Sequence, residues 1–137
     1  MNDGPILIVD DDTDDRAFLE DAWQDLEYQN ELIFFKNGKD VLDYLTSEKI
    51  TPFLILCDVN IPKMDGFQLK EKIRESSLTN YKSIPFVFWS TTVSKSQIQK
   101  AYDLGVNGFF VKDTTFKEIK QSLIDIVKYW QKCKVPE

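Results

Sequence analysis

Four short apolar runs each lead into residues able to do chemistry. ILIV (6–9) runs into Asp10 and Asp11, FLILC (53–57) into Asp58 and Asn60, FVFW (86–89) into Ser90 and Thr92, and GFFV (108–111) into Lys112. If these runs are strands of an open α/β sheet, their carboxyl ends meet at one edge, where such folds place their sites. Two ionised carboxylates about 5 Å apart repel by roughly 3 kcal/mol at an effective dielectric of about 20. A group of acids there must therefore keep a proton or hold a cation. A hard divalent ion with oxygen ligands meets that need, and a small octahedral ion bound by one or two carboxylates, a carbonyl and water has the habits of magnesium. Its remaining positions suit phosphate oxygens, to which Lys112 offers a point charge and Ser90 a hydroxyl donor. The set reads as a phosphoryl-transfer site with a carboxylate as candidate nucleophile.

The elements that must position these residues are legible from periodicity. A further run, LIFF (32–35), joins the other four, and all have strand length and β-branched or aromatic content. Between them, helical spacing places Leu19, Ala22, Trp23 and Leu26 on one face, then Val41, Leu42 and Leu45, then Gly66, Leu69 and Ile73. Ile98, Ala101, Tyr102 and Gly105 share a fourth face, and Phe116, Ile119, Leu123, Ile126, Val127 and Trp130 a fifth. Asp12 or Thr13, Ser94 and Thr114 are the expected helix caps, and Asp65 with Gly66 a turn and helix start. Gly105 and Gly108 punctuate the end of the fourth helix and the approach to the fifth strand. Strands alternating with helices predict an α/β fold with a mainly parallel sheet, because parallel neighbours need crossovers of helical length. Strands apolar on both faces predict helices on both sides of that sheet. The stretches 75–85 and 47–52 are the expected irregular loops.

Composition narrows the setting. The 137 residues fit one domain over 1–137, its core spanning about 5–131, with no room for an output domain. Acidic residues outnumber basic ones by 23 to 17, and the net charge of −6 disfavours nucleic acid and anionic membrane as partners. No apolar run approaches the roughly 20 residues that cross a bilayer, and the amino terminus carries no basic and apolar leader. A soluble, cytoplasmic protein is expected. Cys57 and Cys133 stand far apart without metal-ligand spacing, so reduced thiols are the plain reading. The chain has no histidine, which removes histidine acid/base catalysis, histidine metal ligation and phosphohistidine formed on this chain.

VDDD after the first strand, LCDVNIPKMDG after the third, FWSTT at the fourth and GFFVK at the fifth resemble, in order and spacing, the receiver domain of two-component response regulators. The resemblance implies a flavodoxin-like (βα)5 fold: a doubly wound, parallel five-stranded sheet of order 2-1-3-4-5 with helices on both faces. It implies Asp58 as phosphoacceptor, assisted by Ser90 and Lys112, and Mg2+ held by Asp10, Asp11, Asp58 and the backbone carbonyl of Asn60. Ser90 and Phe109 match the switch positions, Asn60 and Thr92 those that tune dephosphorylation. The implied phosphodonor is a sensor histidine kinase or histidine phosphotransfer protein, and the fourth helix, fifth strand and fifth helix form the surface that docks an unidentified protein target. Asp113 departs from the pattern, which has proline after the lysine with its preceding bond cis. A cis bond before another residue costs roughly 3–4 kcal/mol, so a trans bond and a rearranged loop are expected.

Plainer readings stand beside these. Asp12, Asp14 and Asp15 read first as first-turn acids that favour the helix dipole, and Phe109 reads equally as core. Two other functions compete. A haloacid-dehalogenase-like, magnesium-dependent aspartyl phosphatase would want Asp-x-Asp-x-Thr/Val after the first strand, and here Asp14 stands in the Thr/Val place. A receiver-like module that binds partners without phosphorylation would not need the intact acidic set.

Overall fold

The five apolar runs form β1 (Ile6–Val9), β2 (Leu32–Phe35), β3 (Leu54–Asp58), β4 (Phe86–Ser90) and β5 (Gly108–Val111). The computed structural model describes residues 3–47, 50–76, 83–91 and 93–134. The helices are α1 (Thr13–Gln24), α2 (Gly38–Ser47), α3 (Gly66–Glu75), α4 (Lys95–Asp103) and α5 (Phe116–Lys132). All strand pairings are parallel, in the order β2-β1-β3-β4-β5, as the resemblance implied. Both expected loops fall partly outside the described residues.

Strand alternation divides the core in two. Leu7, Val9, Ile55, Cys57, Phe86 and Phe88 pack with Val41, Leu45, Leu69, Ile73 and Ala101, so α2, α3 and α4 cover one face. Ile6, Ile8, Leu54, Leu56, Val87 and Trp89 pack with Leu19, Ala22, Ile119, Leu123 and Ile126, so α1 and α5 cover the other. Helix starts follow capping chemistry. Asp12 accepts the N–H groups of Asp14 and Asp15 at 2.8 and 3.3 Å, while Asp65 with Gln68 and Ser94 with Gln97 close reciprocal capping boxes. The last cap is Thr115, one residue after the expected Thr114.

Three positions correct the helical faces read from periodicity. Ile98 and Tyr102 are exposed, Tyr102 at 52%, and α4 buries only Ala101. Phe116 is also exposed, its ring 6.1 Å from that of Phe18 across α1 and α5. Gly105 ends α4 with φ at 83°, the left-handed conformation that glycine adopts without penalty.

One close approach couples the fold to the site. The Gly66 N–H donates to the Val59 carbonyl at 2.9 Å, and a Cβ on Gly66 would stand 2.8 Å from the Asp58 carbonyl oxygen and 2.8 Å from the Phe88 ring. Gly66→Ala is expected to cost about 1–3 kcal/mol of stability, because backbone has to shift to admit the methyl group. Urea unfolding checks this, and an unchanged midpoint would show that the β3–α3 loop yields freely.

Candidate functional site

The alternation that divides the core also assigns the site residues to faces. Ile8, Leu56 and Phe110 pack toward α1 and α5, and two residues further along each chain path come Asp10, Asp58 and Lys112. These three meet on that side of the sheet edge. Ser90 follows Phe86 and Phe88, which pack toward α2, α3 and α4, and takes the opposite side by the same alternation. Phe109 shares that second side, its ring edge-on to Phe88 at 5.7 Å.

Lys112 is the hub. Its Nζ lies 2.9 Å from Asp10 Oδ2, 2.7 Å from Asp15 Oδ2 and 2.8 Å from Asp58 Oδ2, and its side chain is only 7% exposed. An ammonium has three protons, and here each has a carboxylate. Backbone contacts fix the lysine's base: the Lys112 N–H donates to the Ser90 carbonyl at 2.8 Å. The Lys112–Asp113 bond is trans, as expected for a residue other than proline. In place of the proline ring, the Asp113 carboxylate accepts the Ser122 hydroxyl and ties the β5–α5 loop to α5.

The other carboxylate oxygens are held by backbone. Asp58 Oδ1 accepts the Asn60 N–H at 3.1 Å, and Asp10 Oδ1 accepts the Asp12 N–H at 2.9 Å. Asp11 is exposed and has no part in the lysine network. Even so, Asp10, Asp11 and Asp58 each bring one carboxylate oxygen within 4.8 Å of the others. An all-oxygen donor set of three acids fits a hard divalent cation. Ser90 is fully buried at the end of β4, and Thr92 lies outside the described residues.

Asp15 is the member that sequence reasoning missed. Its place in the sequence reads first as that of a first-turn acid serving the helix dipole, yet its carboxylate makes the shortest of the three ion pairs to Lys112. A signal was present. Asp15 stands four residues before Leu19 and seven before Ala22, both buried against the sheet, so it extends the inward stripe of α1 by one turn.

Burial and charge oppose each other here. Burial pushes the Asp10 carboxyl up from near 3.8 to about 7, against the Asp12 N–H and the Lys112 charge, which pull it down. Burial alone would lower the Lys112 ammonium, but hydrogen bonds to Asp15 and Asp58 and the charge of Asp10 carry it well above the ordinary lysine value. Burial, only partly opposed by the shared ammonium, leaves Asp10 readily protonated near neutral pH. Burial likewise pushes the Cys57 thiol well up, which keeps it protonated and inert.

The Asp10 shift has a definite sign. Because the folded value exceeds the unfolded one, the folded state binds the extra proton between about pH 4 and about pH 7, and stability falls as pH rises through that window. Without divalent cation, the wild type should therefore lose stability relative to Asp10→Asn between about pH 4 and about pH 7. Parallel pH profiles for the two proteins, from thermal unfolding in chelator, would contradict the assignment.

Known proteins match this arrangement. A family profile described as the response regulator receiver domain matches residues 6–124. The probable methanogenesis regulatory protein FilR2 of Methanothrix harundinacea is 28% identical over 91% of this chain and 82% of its own. The crystal structure of the phosphorylated cyanobacterial phytochrome response regulator RcpA superposes with a TM-score of 0.88, at 27% identity over 97% of this chain and 98% of that one. The manganese-bound form of response regulator Rcp1, a name carried by a similar protein of Synechocystis sp., gives a TM-score of 0.82 at 26% identity, over 96% and 98% of the two chains. With the sheet order, the acidic cluster and the lysine already in place, the profile settles the family: this chain belongs to the receiver domains of two-component response regulators.

Proposed function

We propose that Asp58 is the phosphoacceptor of this receiver and takes its phosphoryl group from phosphohistidine on a sensor histidine kinase or histidine phosphotransfer protein. The observation that carries the reading is the setting of the Asp58 carboxylate. It stands at the carboxyl end of β3 with Oδ1 on the Asn60 N–H and Oδ2 on Lys112. In the transfer, an Asp58 oxygen bonds to phosphorus while the donor's phosphorus–nitrogen bond breaks. The electron pair leaves with the imidazole, which takes a proton from solvent.

Asp10, Asp11, Asp58 and the Asn60 carbonyl would hold Mg2+, a reading supported by the three clustered carboxylates and by the existence of a manganese-bound form of the similar Rcp1. When bound, that ion neutralises charge shared by the carboxylates and the phosphoryl oxygens. Lys112 turns the N–H that it donates to Asp58 Oδ2 toward a phosphoryl oxygen. Ser90 donates its hydroxyl to another, and Phe109, on the same side of the sheet, follows it. Asn60 and Thr92 set how fast water removes the group, so the chain assists its own phosphorylation and dephosphorylation without turning over a separate substrate. The output face is α4, β5 and α5, where Tyr102 and Val111 are exposed at 52% and 57%. A bias of roughly 1–3 kcal/mol between two states of that face is enough for a docking switch. Among the described residues no helix is long and apolar enough to cross a membrane, and we place the protein in the cytoplasm with its phosphodonor.

Trp89 gives the reading a direct test, since it is buried at the end of β4 and paired in register with Asp58. Beryllium fluoride with Mg2+, a phosphoryl mimic, should change the tryptophan emission of the wild type and leave Asp58→Ala unchanged. No response in the wild type, or equal responses in both proteins, would overturn the reading. Steady hydrolysis of phosphate monoesters would point instead to the aspartyl phosphatase.

A further inference from the structure

We infer that Asp15 is a positioning residue for Lys112, an inference that rests on Asp58 being the phosphoacceptor. Lys112 must change partners during the reaction. Its three ammonium protons lie on Asp10, Asp15 and Asp58, and once Asp58 is an acyl phosphate its oxygens are weaker acceptors than those of a free carboxylate. One N–H then turns to the phosphoryl oxygens. Asp10 and Asp15 keep the other two, so the nitrogen stays within reach while a single proton is redirected.

The surroundings leave Asp15 without a substitute on the α1 side. A cavity of about 10 Å³ beside the lysine is lined by Asp10, Asp15, Leu19, Trp89, Lys112 and Ile119. Leu19 and Ile119 present carbon, and the Trp89 indole N–H is a donor, itself buried and without a hydrogen-bond partner. Apart from Asp10, nothing in that lining can accept a side-chain proton from the ammonium. The cavity holds at most about one water. With Asp15 cut back to Ala, the four-carbon stem of Lys112 gains room beside the cavity and loses the contact that orients it. Asp15 is not one of the three acids whose oxygens cluster for a cation, so its effect should fall on phosphoryl transfer and not on the metal.

A pure charge effect predicts the opposite result. Removing a negative charge beside an anionic donor would speed the reaction, and Asp15→Asn and Asp15→Ala would behave alike. Positioning predicts a graded loss, because the Asn side chain keeps an oxygen at the same reach. The test measures phosphorylation by acetyl phosphate at saturating Mg2+, followed by intact mass, with Mg2+ affinity measured separately on each protein. The expected rate constant falls about tenfold in Asp15→Ala and less in Asp15→Asn, while Mg2+ affinity stays within about threefold; a misplacement near 1 Å can cost up to about a hundredfold. Rates at or above wild type in either variant, equal losses in both, or a matching loss of Mg2+ affinity would overturn the positioning role. The Asn variant keeps the shape of Asp and guards against a folding artefact in Ala. If the wild type itself takes no phosphoryl group, the phosphoacceptor reading falls first and this inference with it.

Discussion

Lys112→Met will lower the stability of the cation-free protein by about 3–5 kcal/mol at neutral pH, the usual cost of removing one partner from a buried ion pair. The lysine side chain is 7% exposed and stands within 2.9 Å of three carboxylates. Met matches the four-atom stem and keeps its packing, so the loss reports chiefly the charge and not a cavity. Without the ammonium, Asp10, Asp15 and Asp58 face one another unscreened, and each either repels its neighbours or takes up a proton. A divalent cation replaces part of the missing charge, so added Mg2+ should recover more stability in the variant than in the wild type. Urea unfolding in chelator and in Mg2+ checks both statements. A loss under about 1 kcal/mol in chelator would place the pair among ordinary surface ion pairs.

Asp58→Asn should move stability and function in opposite directions. Removing one of the carboxylates crowded around the lysine relieves repulsion, while the Asn oxygen can still accept from Asn60 or Lys112. Stability in chelator is expected to hold or to rise by up to about 1 kcal/mol. Phosphoryl acceptance should fall below detection, because an amide oxygen cannot replace the carboxylate nucleophile. Phosphoryl uptake by the variant at more than about a hundredth of the wild-type rate would send the nucleophile's role to another side chain.

These opposed effects arise from residues of differing legibility. Asp10, Asp58 and Lys112 could be placed from sequence because each ends an apolar run whose alternation fixes a face, and a period of two residues leaves little freedom. The parallel sheet followed from the same runs and from the helical spacing between them. What alternation cannot give is how a helix is rotated about its own axis. Ile98 and Tyr102 match the period of Ala101, yet only Ala101 of α4 is buried, because a shared helical face does not say how much of that face the sheet covers. Phe116 sits in the first turn of α5 and finds Phe18 at the surface in place of the core. Thr114 and Thr115 are chemically equal as caps, and only the path of the loop chooses between them.

Asp15 shows the same difficulty at the site. Five acids in six positions, 10 to 15, look alike as a string. The chain path separates them. Asp10 leaves the strand, Asp11 faces solvent within reach of Asp10 and Asp58, Asp12 caps α1, and Asp15 comes round on the first turn to reach Lys112. A cap donates no charge to the pocket and a hub partner does, so the local role of Asp12 was legible while the tertiary role of Asp15 waited on β5.

Chemical trapping of the acyl phosphate identifies the acid that carries it. The wild-type protein is incubated with acetyl phosphate and Mg2+, reduced with borohydride, which converts an aspartyl phosphate to homoserine, and mapped by peptide mass. Homoserine is expected at position 58, dependent on Mg2+, and at no other acid. Conversion at Asp10, Asp11 or Asp15 instead, or no conversion at all under conditions where the protein is folded, would contradict Asp58 as the phosphoacceptor.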